Sequence, residues 1–288
     1  MPIHFPIRML EMSRDDYHRL DYEVMGIIFD IHNRLGRLYD EKIYQQAIER
    51  GCRNRGIATR SEVPITASYQ GNVHGLPGEF TKSYFVDLVA GDGVFYEIKT
   101  AESPAPPHRQ QLLNYRLLAD FRYGKLVNMR TSSVQAEYIT ASLTKQERFR
   151  FNLIQGCWIN VNEESAWLRE LITALLNEWG AFLDVQLLYD AIAHFRGSPE
   201  GLEKPVPVCL GEHVHGTQKI HLLTEDAAIR ISAIKSTKQT DRSIAAYEMH
   251  LHRFLIHTPL RAIQWINFNR HEILMKTILK SSCVQIVL

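Results

Sequence analysis

Residues 83–99 read SYFVDLVAGDGVFYEIK, and the fold turns on how this stretch is understood. Ser83–Ala90 and Val94–Thr100 are apolar, β-branched and aromatic runs with the composition of strands. Asp92-Gly93 between them is a tight hairpin signal. Side chains alternate along a strand, so Glu97 and Lys99 point to one face and Ile98 to the other. Asp87 ends the apolar part of the preceding strand. An Asp, a Glu and a Lys gathered beside a hairpin form a costly cluster unless something uses it. Two carboxylates suit a hard divalent cation such as Mg²⁺, which takes oxygen ligands and keeps several waters. A lysine beside that cation can help activate water or offset charge developing on a phosphoryl oxygen, as phosphodiester hydrolysis requires. Taken alone, the D-x9-E-x-K spacing favours a solvated, salt-bridged strand edge.

Two further features shift that balance, and both lie in the flanking helices. Upstream, Tyr17, Leu20, Val24, Ile27, Ile28, Ile31 and Leu35 recur at helical spacing behind Ser13 and Asp16, which are placed like a capping box. Gly36 ends this helix. A second helix is expected from Asp40 to about Arg53, with Ile43, Ala47 and Ile48 facing inward, and Gly56 breaks it. Glu41 lies in its first turn, where it could aim a third carboxylate at the same face. RSEVPITASY then reads as a strand and GNVHGLPG as a turn. Downstream, SPAPP opens a helix over HRQQLLNYRLLADF, and KLVNM follows as a short buried strand. Gln111 and Tyr115 stand four apart and share one face of that helix. Helix, helix, three-strand meander, helix and strand predict an α/β sheet with helices packed on it.

GRLYDEKIYQQAI, YFVDLVA, YEIKT, HRQQLLNY and GKLVNM, in that order, resemble the GxxExxY family of the PD-(D/E)xK nuclease superfamily over about residues 17–140. QLLNY also resembles the Q-h-x-x-Y motif of RecB-type nucleases. The resemblance implies a restriction-endonuclease-like core, a mixed sheet flanked by helices. It implies that Asp87, Glu97 and the Ile98 carbonyl ligate Mg²⁺, or Mn²⁺ as a substitute, with Glu41 as an additional acidic residue. Lys99 would act on the attacking water or the scissile phosphate, and Gln111 and Tyr115 would orient substrate or Lys99. The sequence departs from the family pattern at Leu38, which stands where the motif has glycine; Gly36 lies two residues earlier.

The second half reads as a worn copy of the first. WGAFLDVQLLYDAI aligns with LGRLYDEKIYQQAI, VPVCLGEHVHG with VPITASYQGNVHG, ISAIKST with FYEIKTA, EMHLHRFL with QQLLNYRL, and AIQWINF with GKLVNM. In that alignment Val185 replaces Glu41, Asp87 falls near Leu223, Ala233 replaces Glu97, His250 replaces Gln111 and Phe254 replaces Tyr115. Lys235 stands on Lys99, and Asn267 on Asn128. Loss of the carboxylates removes a hard-cation site. The expectation is two tandem domains, 1–145 with the motif intact and 146–288 degenerate, forming an internal pseudo-dimer joined by an exposed LTKQERFRFN linker.

Composition bounds the rest. The chain has 288 residues, 45% of them hydrophobic and 23% charged, which excludes a disordered or collagen-like chain. Net charge is +1, so no whole-molecule field draws it to nucleic acid or membrane. No apolar run reaches a membrane span, no export signal precedes the first helix, and Cys52, Cys157, Cys209 and Cys283 are scattered. A cytoplasmic protein with reduced thiols is expected. Arg50, Arg53, Arg55 and Arg60 form a local basic run, explained by the helix C-terminus or by phosphate contact. No P-loop, GxGxxG after a strand, GxSxG or HExxH occurs, so a nucleotide cofactor has no support. The expected function is Mg²⁺-dependent DNA cleavage. The alternative is a non-catalytic nucleic-acid- or partner-binding protein that keeps the fold.

Overall fold

The computed structural model describes residues 2–280 apart from 9–11, 74–75, 92, 104–105, 141–142, 236–240 and 270. Asp92 of the hairpin signal and Cys283 therefore lie outside the described residues. Two compact units emerge, residues 1–69 with 81–145, and residues 70–80 with 146–288.

In the first unit, helix α1 (Arg14–Leu35) opens on Ser13, whose Oγ accepts from Asp16 N and donates to the Asp16 carboxylate at 2.6 Å. It stops at Gly36, which has φ +76° and donates to His32 O. The expected stripe is buried from Tyr17 to Ile31 except for half-buried Leu20, whereas Leu35 at its end is exposed. Helix α2 (Glu41–Asn54) buries Tyr44, Gln45, Ile48 and Cys52. Ile43, expected to face inward, is 42% exposed. Tyr44 turns in instead, and its hydroxyl donates to Gly36 O at 2.6 Å, so the buried face is set one residue later.

The sheet of this unit runs β1 (Ile3–His4), β2 (Thr59–Val73), β3 (Leu76–Ala90), β4 (Val94–Lys99), β5 (Tyr123–Asn128) and β6 (Gln135–Ile139), in that spatial order. GNVHGLPG is extended strand on both sides of residues 74–75 rather than an eight-residue turn. Strands β3 and β4 are antiparallel. Helix α3 (Pro106–Ala119) then makes a crossover, so β4 and β5 are parallel, with Lys99 paired to Asn128. Tyr96, Ile98, Val127 and Met129 pack under α1 and α2. Glu97 and Lys99 belong to the alternate face.

A polar knot is buried beneath α1. The Asp21 carboxylate pairs with Lys125 and accepts hydroxyls from Tyr96 and Tyr138, each at 3.0 Å. It ties α1 to three adjacent strands, β4, β5 and β6. The linker is also more ordered than expected, because a short helix α4 (Lys145–Arg148) buries Arg148 completely.

The second unit contains β7 (Asn152–Cys157), α5 (Glu163–Trp179), α6 (Val185–Phe195), β8 (Glu203–Leu210), β9 (His213–Leu222), β10 (Ala227–Ser232), α7 (Asp241–Ile256), β11 (Ala262–Asn269) and β12 (Glu272–Leu279). Its sheet order is β8-β9-β10-β11-β12-β7, with β9/β10 antiparallel, β10/β11 parallel and β11/β12 antiparallel. Those are the senses of β3/β4, β4/β5 and β5/β6. Phe80, from the far end of β3, packs here against Trp179 and His194, at ring separations of 5.8 and 5.5 Å. Trp158, Trp167, Trp179 and Trp265 are all buried, so the tryptophans of the second half are packing residues.

Register corrects the alignment of the two halves. Ser232 is opposite Asn267 as Lys99 is opposite Asn128, so Arg230 stands where Glu97 does and Ser232 where Lys99 does. Continuing the antiparallel register sets Ile220 in the place of Asp87. Lys235 lies three residues beyond the strand and is exposed. Ile234 and Lys235, which carry the likeness to Ile98 and Lys99, lie beyond the strand, which ends at Ser232.

Removing one member of a buried ion pair strands the other, at a cost of about 3–5 kcal/mol. Asp21→Ala is expected to destabilise the first unit by that amount, and Asp21→Ala with Lys125→Met to recover most of it. Urea unfolding, with hydrogen exchange at the β4 and β5 amides, measures both.

Candidate active site

Three elements converge on Lys99. Its Nζ lies 2.8 Å from Glu97 Oε1, 3.2 Å from Glu41 Oε1 and 3.6 Å from Asp87 Oδ2. Glu97 comes from the same strand two residues earlier, Asp87 from the antiparallel neighbour β3, and Glu41 from the first turn of α2. That turn also suits a carboxylate, because the unpaired N–H groups of a helix start favour negative charge. Asp87 is fixed by the Ile98 N–H, which donates to its Oδ2 at 2.7 Å.

Glu97 is wholly buried, and neither of its oxygens accepts a hydrogen bond of sound geometry among the described residues. Its polar neighbour is the Lys99 ammonium, at 2.8 Å. Burial, then the neighbouring Asp87 charge, pushes the Glu97 carboxyl up to about 8. Burial likewise raises Asp87 to about 6, against the pull of Lys99 and of the Ile98 N–H. Desolvation works against the charged form of Lys99, but the three carboxylates outweigh it and hold the ammonium above the ordinary lysine range.

Helix α3 supplies the other wall. Gln111 Nε2 donates to the Tyr115 hydroxyl at 2.7 Å, so the two motif residues act as one hydrogen-bonded unit. Burial pushes Tyr115 up to about 12, with Glu97 and Asp87 contributing. Tyr84 of β3, which sequence reasoning did not single out, packs its ring 5.8 Å from that of Tyr115.

A second missed residue is Asn128. Its Oδ1 accepts from Ala101 N at 3.1 Å, and its Nδ2 donates to Ala101 O at 2.8 Å, clamping the chain just beyond Lys99. Met129 N donates to Lys99 O at 2.7 Å, which fixes the lysine backbone itself. Asn267 makes the same two bonds to Ile234 in the second unit. The recurrence of asparagine in the two aligned segments was the signal for this clamp.

The donor set fits a hard divalent cation. Glu97 offers buried oxygens without hydrogen bonds, and Asp87 stands beside it with one oxygen already committed to Ile98. Among the described residues no three carboxylate, imidazole or thiol groups form a ready-made cage. A two-carboxylate site completed by a carbonyl and water is the arrangement Mg²⁺ accepts. Glu41 contacts Lys99 at this site.

The family model of the PD-(D/E)XK nuclease superfamily matches residues 18–140, a span that holds all of these side chains. The mixed α/β architecture, with two six-stranded mixed sheets flanked by helices, is consistent with the fold of that superfamily. No curated protein matches the chain. The crystal structure of SSO0001 is similar at 21% identity over 45% of this chain and 64% of that one, with a TM-score of 0.30. The chain thus spans less than two thirds of the length of that protein.

The raised carboxyl values fix a sign. A folded-state value of about 8 for Glu97, against 4.5 as its ordinary value, means that the folded protein holds the extra proton between those pH values. Its contribution to stability is therefore present below pH 4.5 and is lost as pH rises through about 8. In EDTA, Glu97→Gln is expected to stabilise the protein relative to wild type increasingly from pH 5 to 9, by at most about 1.4 kcal/mol per pH unit. Urea midpoints measured across that range test it; parallel wild-type and variant profiles would show that Glu97 is ionised throughout.

Proposed function

We propose that the first unit is a divalent-metal-dependent nuclease that hydrolyses DNA phosphodiester bonds. The observation that carries this reading is the buried Glu97 carboxyl, whose one close polar neighbour among the described residues is the Lys99 ammonium, set beside Asp87 within the segment matched to a nuclease superfamily. Asp87, Glu97 and the Ile98 carbonyl would hold Mg²⁺ or Mn²⁺. When bound, such an ion supplies Lewis acidity at a phosphoryl oxygen and lowers the pKa of water.

The chain's own groups do the rest. With the charges of Asp87 and Glu97 engaged at the metal position, the Lys99 ammonium would face the scissile phosphate. There it stabilises the negative charge that builds on the non-bridging oxygens. Gln111 and Tyr115 position Lys99 or the substrate from α3. Glu41, 3.2 Å from Lys99, favours its ammonium form.

The second unit, on this reading, is a degenerate copy of the same GxxExxY-type fold that is structural or DNA-binding. The recurrence of strand order, pairing senses and the asparagine clamp supports duplication. One observation favours a second reading. Lys99 already reaches all three carboxylates and offsets part of their charge without a cation, as a non-catalytic nucleic-acid- or partner-binding protein would need.

Linear, circular and single-stranded DNA incubated with Mg²⁺, Mn²⁺ or EDTA separates the two. The expected result is metal-dependent cutting that falls about 10²–10³-fold in Lys99→Ala while DNA binding persists. Wild-type protein that binds DNA but leaves every substrate intact overturns the nuclease in favour of the binding protein.

A further inference from the structure

The basic run at the end of α2 resolves into two groups. Arg53 is paired to Glu49 at 2.9 Å. Arg50 and Arg55 are exposed and pair with no carboxylate among the described residues. Both line a groove between α1 and α2 with a cavity of about 470 Å³, which Arg34 of α1 also borders. Its one acidic residue is Asp30, 3.7 Å from Arg34. Three arginines against one aspartate give the groove a formal charge of +2, on a chain whose total is +1. Attraction to helix C-termini explains basic residues at the ends of α1 and α2, but it explains no cavity.

The floor has a different chemistry. Ile27 and Ile31 are buried side chains of the core, and Ala47 and Gly51 face them from α2. A Cβ on Gly51 would stand 2.5 Å from Ile27 Cγ2, so the glycine is what lets the two helices approach here. Ile27 and Ile31 are thereby covered, and the apolar side open to the groove is exposed Leu35 with half-buried Ala47, edged by guanidinium groups. Guanidinium forks match phosphate oxygens in pairs, and the volume lies within the range of small-molecule sites.

We infer that this α1–α2 groove is a binding site for a phosphate ester bearing a flat apolar group, namely a nucleotide unit. Arg50 and Arg55 take the phosphate, and the base lies against Leu35 and Ala47. The site is separate from the Lys99 cluster: Arg50 is nine residues along α2 from Glu41, a distance of about 14 Å on the helix axis. Two sources share this chemistry, a free mononucleotide and one nucleotide of a strand.

Titration calorimetry of the full chain in EDTA tests the groove whether or not the protein cuts DNA. The probes are AMP, dAMP, a short single-stranded oligonucleotide and inorganic phosphate. The inference expects AMP, dAMP or the oligonucleotide to bind, and phosphate alone to bind more weakly. Arg50→Ala/Arg55→Ala should weaken binding about ten- to hundredfold, while Lys99→Ala leaves it unchanged. Binding of the oligonucleotide without either mononucleotide identifies a strand as the source, and binding of a mononucleotide identifies a free ligand. The inference is overturned if no nucleotide probe binds wild type, if the double arginine variant binds as wild type does, or if phosphate binds equally well. Cleavage is read separately, with the arginine variant expected to cut a substrate too short to reach the groove at the wild-type rate.

Discussion

One ammonium group holds the first unit's site together. Glu41, Asp87 and Glu97 come from a helix start and two adjacent strands, and all three reach within 3.6 Å of Lys99 Nζ. Three carboxylates gathered in so confined a place repel one another, and burial adds a desolvation cost for each charge. The lysine offsets part of that, and protonation of Glu97 removes more, which is why its carboxyl lies so far above the usual range. Unlike Asp87, Glu97 has no backbone donor. Its cost is only fully met when a further positive charge or a proton is present, and that links structural strain to metal chemistry.

The position of Lys99 depends in turn on backbone geometry that the ion pairs do not supply. The parallel pairing of β4 with β5 brings Asn128 opposite Lys99, and its side chain closes on Ala101 two residues further along. On the other face, the Asp21 network fastens α1 to the same strands. The site is therefore stretched between two polar anchors, one on each side of β4. Strand alternation makes this possible, because Tyr96 and Ile98 face one anchor while Glu97 and Lys99 face away from it.

Much of this was legible in residues 83–99. Period-two alternation fixed which side chains share a face, and the spacing across the hairpin was enough to gather Asp87, Glu97 and Lys99. Glu41 was legible through its place in the first turn of a helix, Gln111 and Tyr115 through helical periodicity. What was not legible depended on pairs distant in sequence. Asp21 and Lys125 are ordinary surface residue types, and only tertiary pairing makes them a buried knot. Ile43 looked like a core residue by spacing, but Tyr44 reaches the Gly36 carbonyl and rotates the buried stripe. GNVHGLPG carries turn residues, yet the hairpin continues through most of it because sheet pairing overrides local preference.

The second unit shows which parts of the arrangement are frame and which are charge. Its strands pair with the same senses and its asparagine makes the same clamp, but the acceptor of the strand N–H has changed. Ile98 N donates to the Asp87 carboxylate, whereas Ile231 N, at the same register position, donates to the Tyr189 hydroxyl at 2.8 Å. A phenol satisfies a backbone donor as well as a carboxylate does, and it brings no charge into the interior. The face that carries Glu97 in the first unit is filled here by Trp265, Leu251, Leu255 and Ile263. Arg230, in the register position of Glu97, leaves the sheet and bonds Tyr247 at 2.6 Å. Where the first unit has its charged cluster, the second has an apolar plug on strands of the same pairing senses, and a plug of this kind carries none of the desolvation cost that Glu97 imposes. The pairing senses and the clamp recur in both units, whereas among the described residues the buried carboxylates belong to the first alone, so the frame does not depend on them.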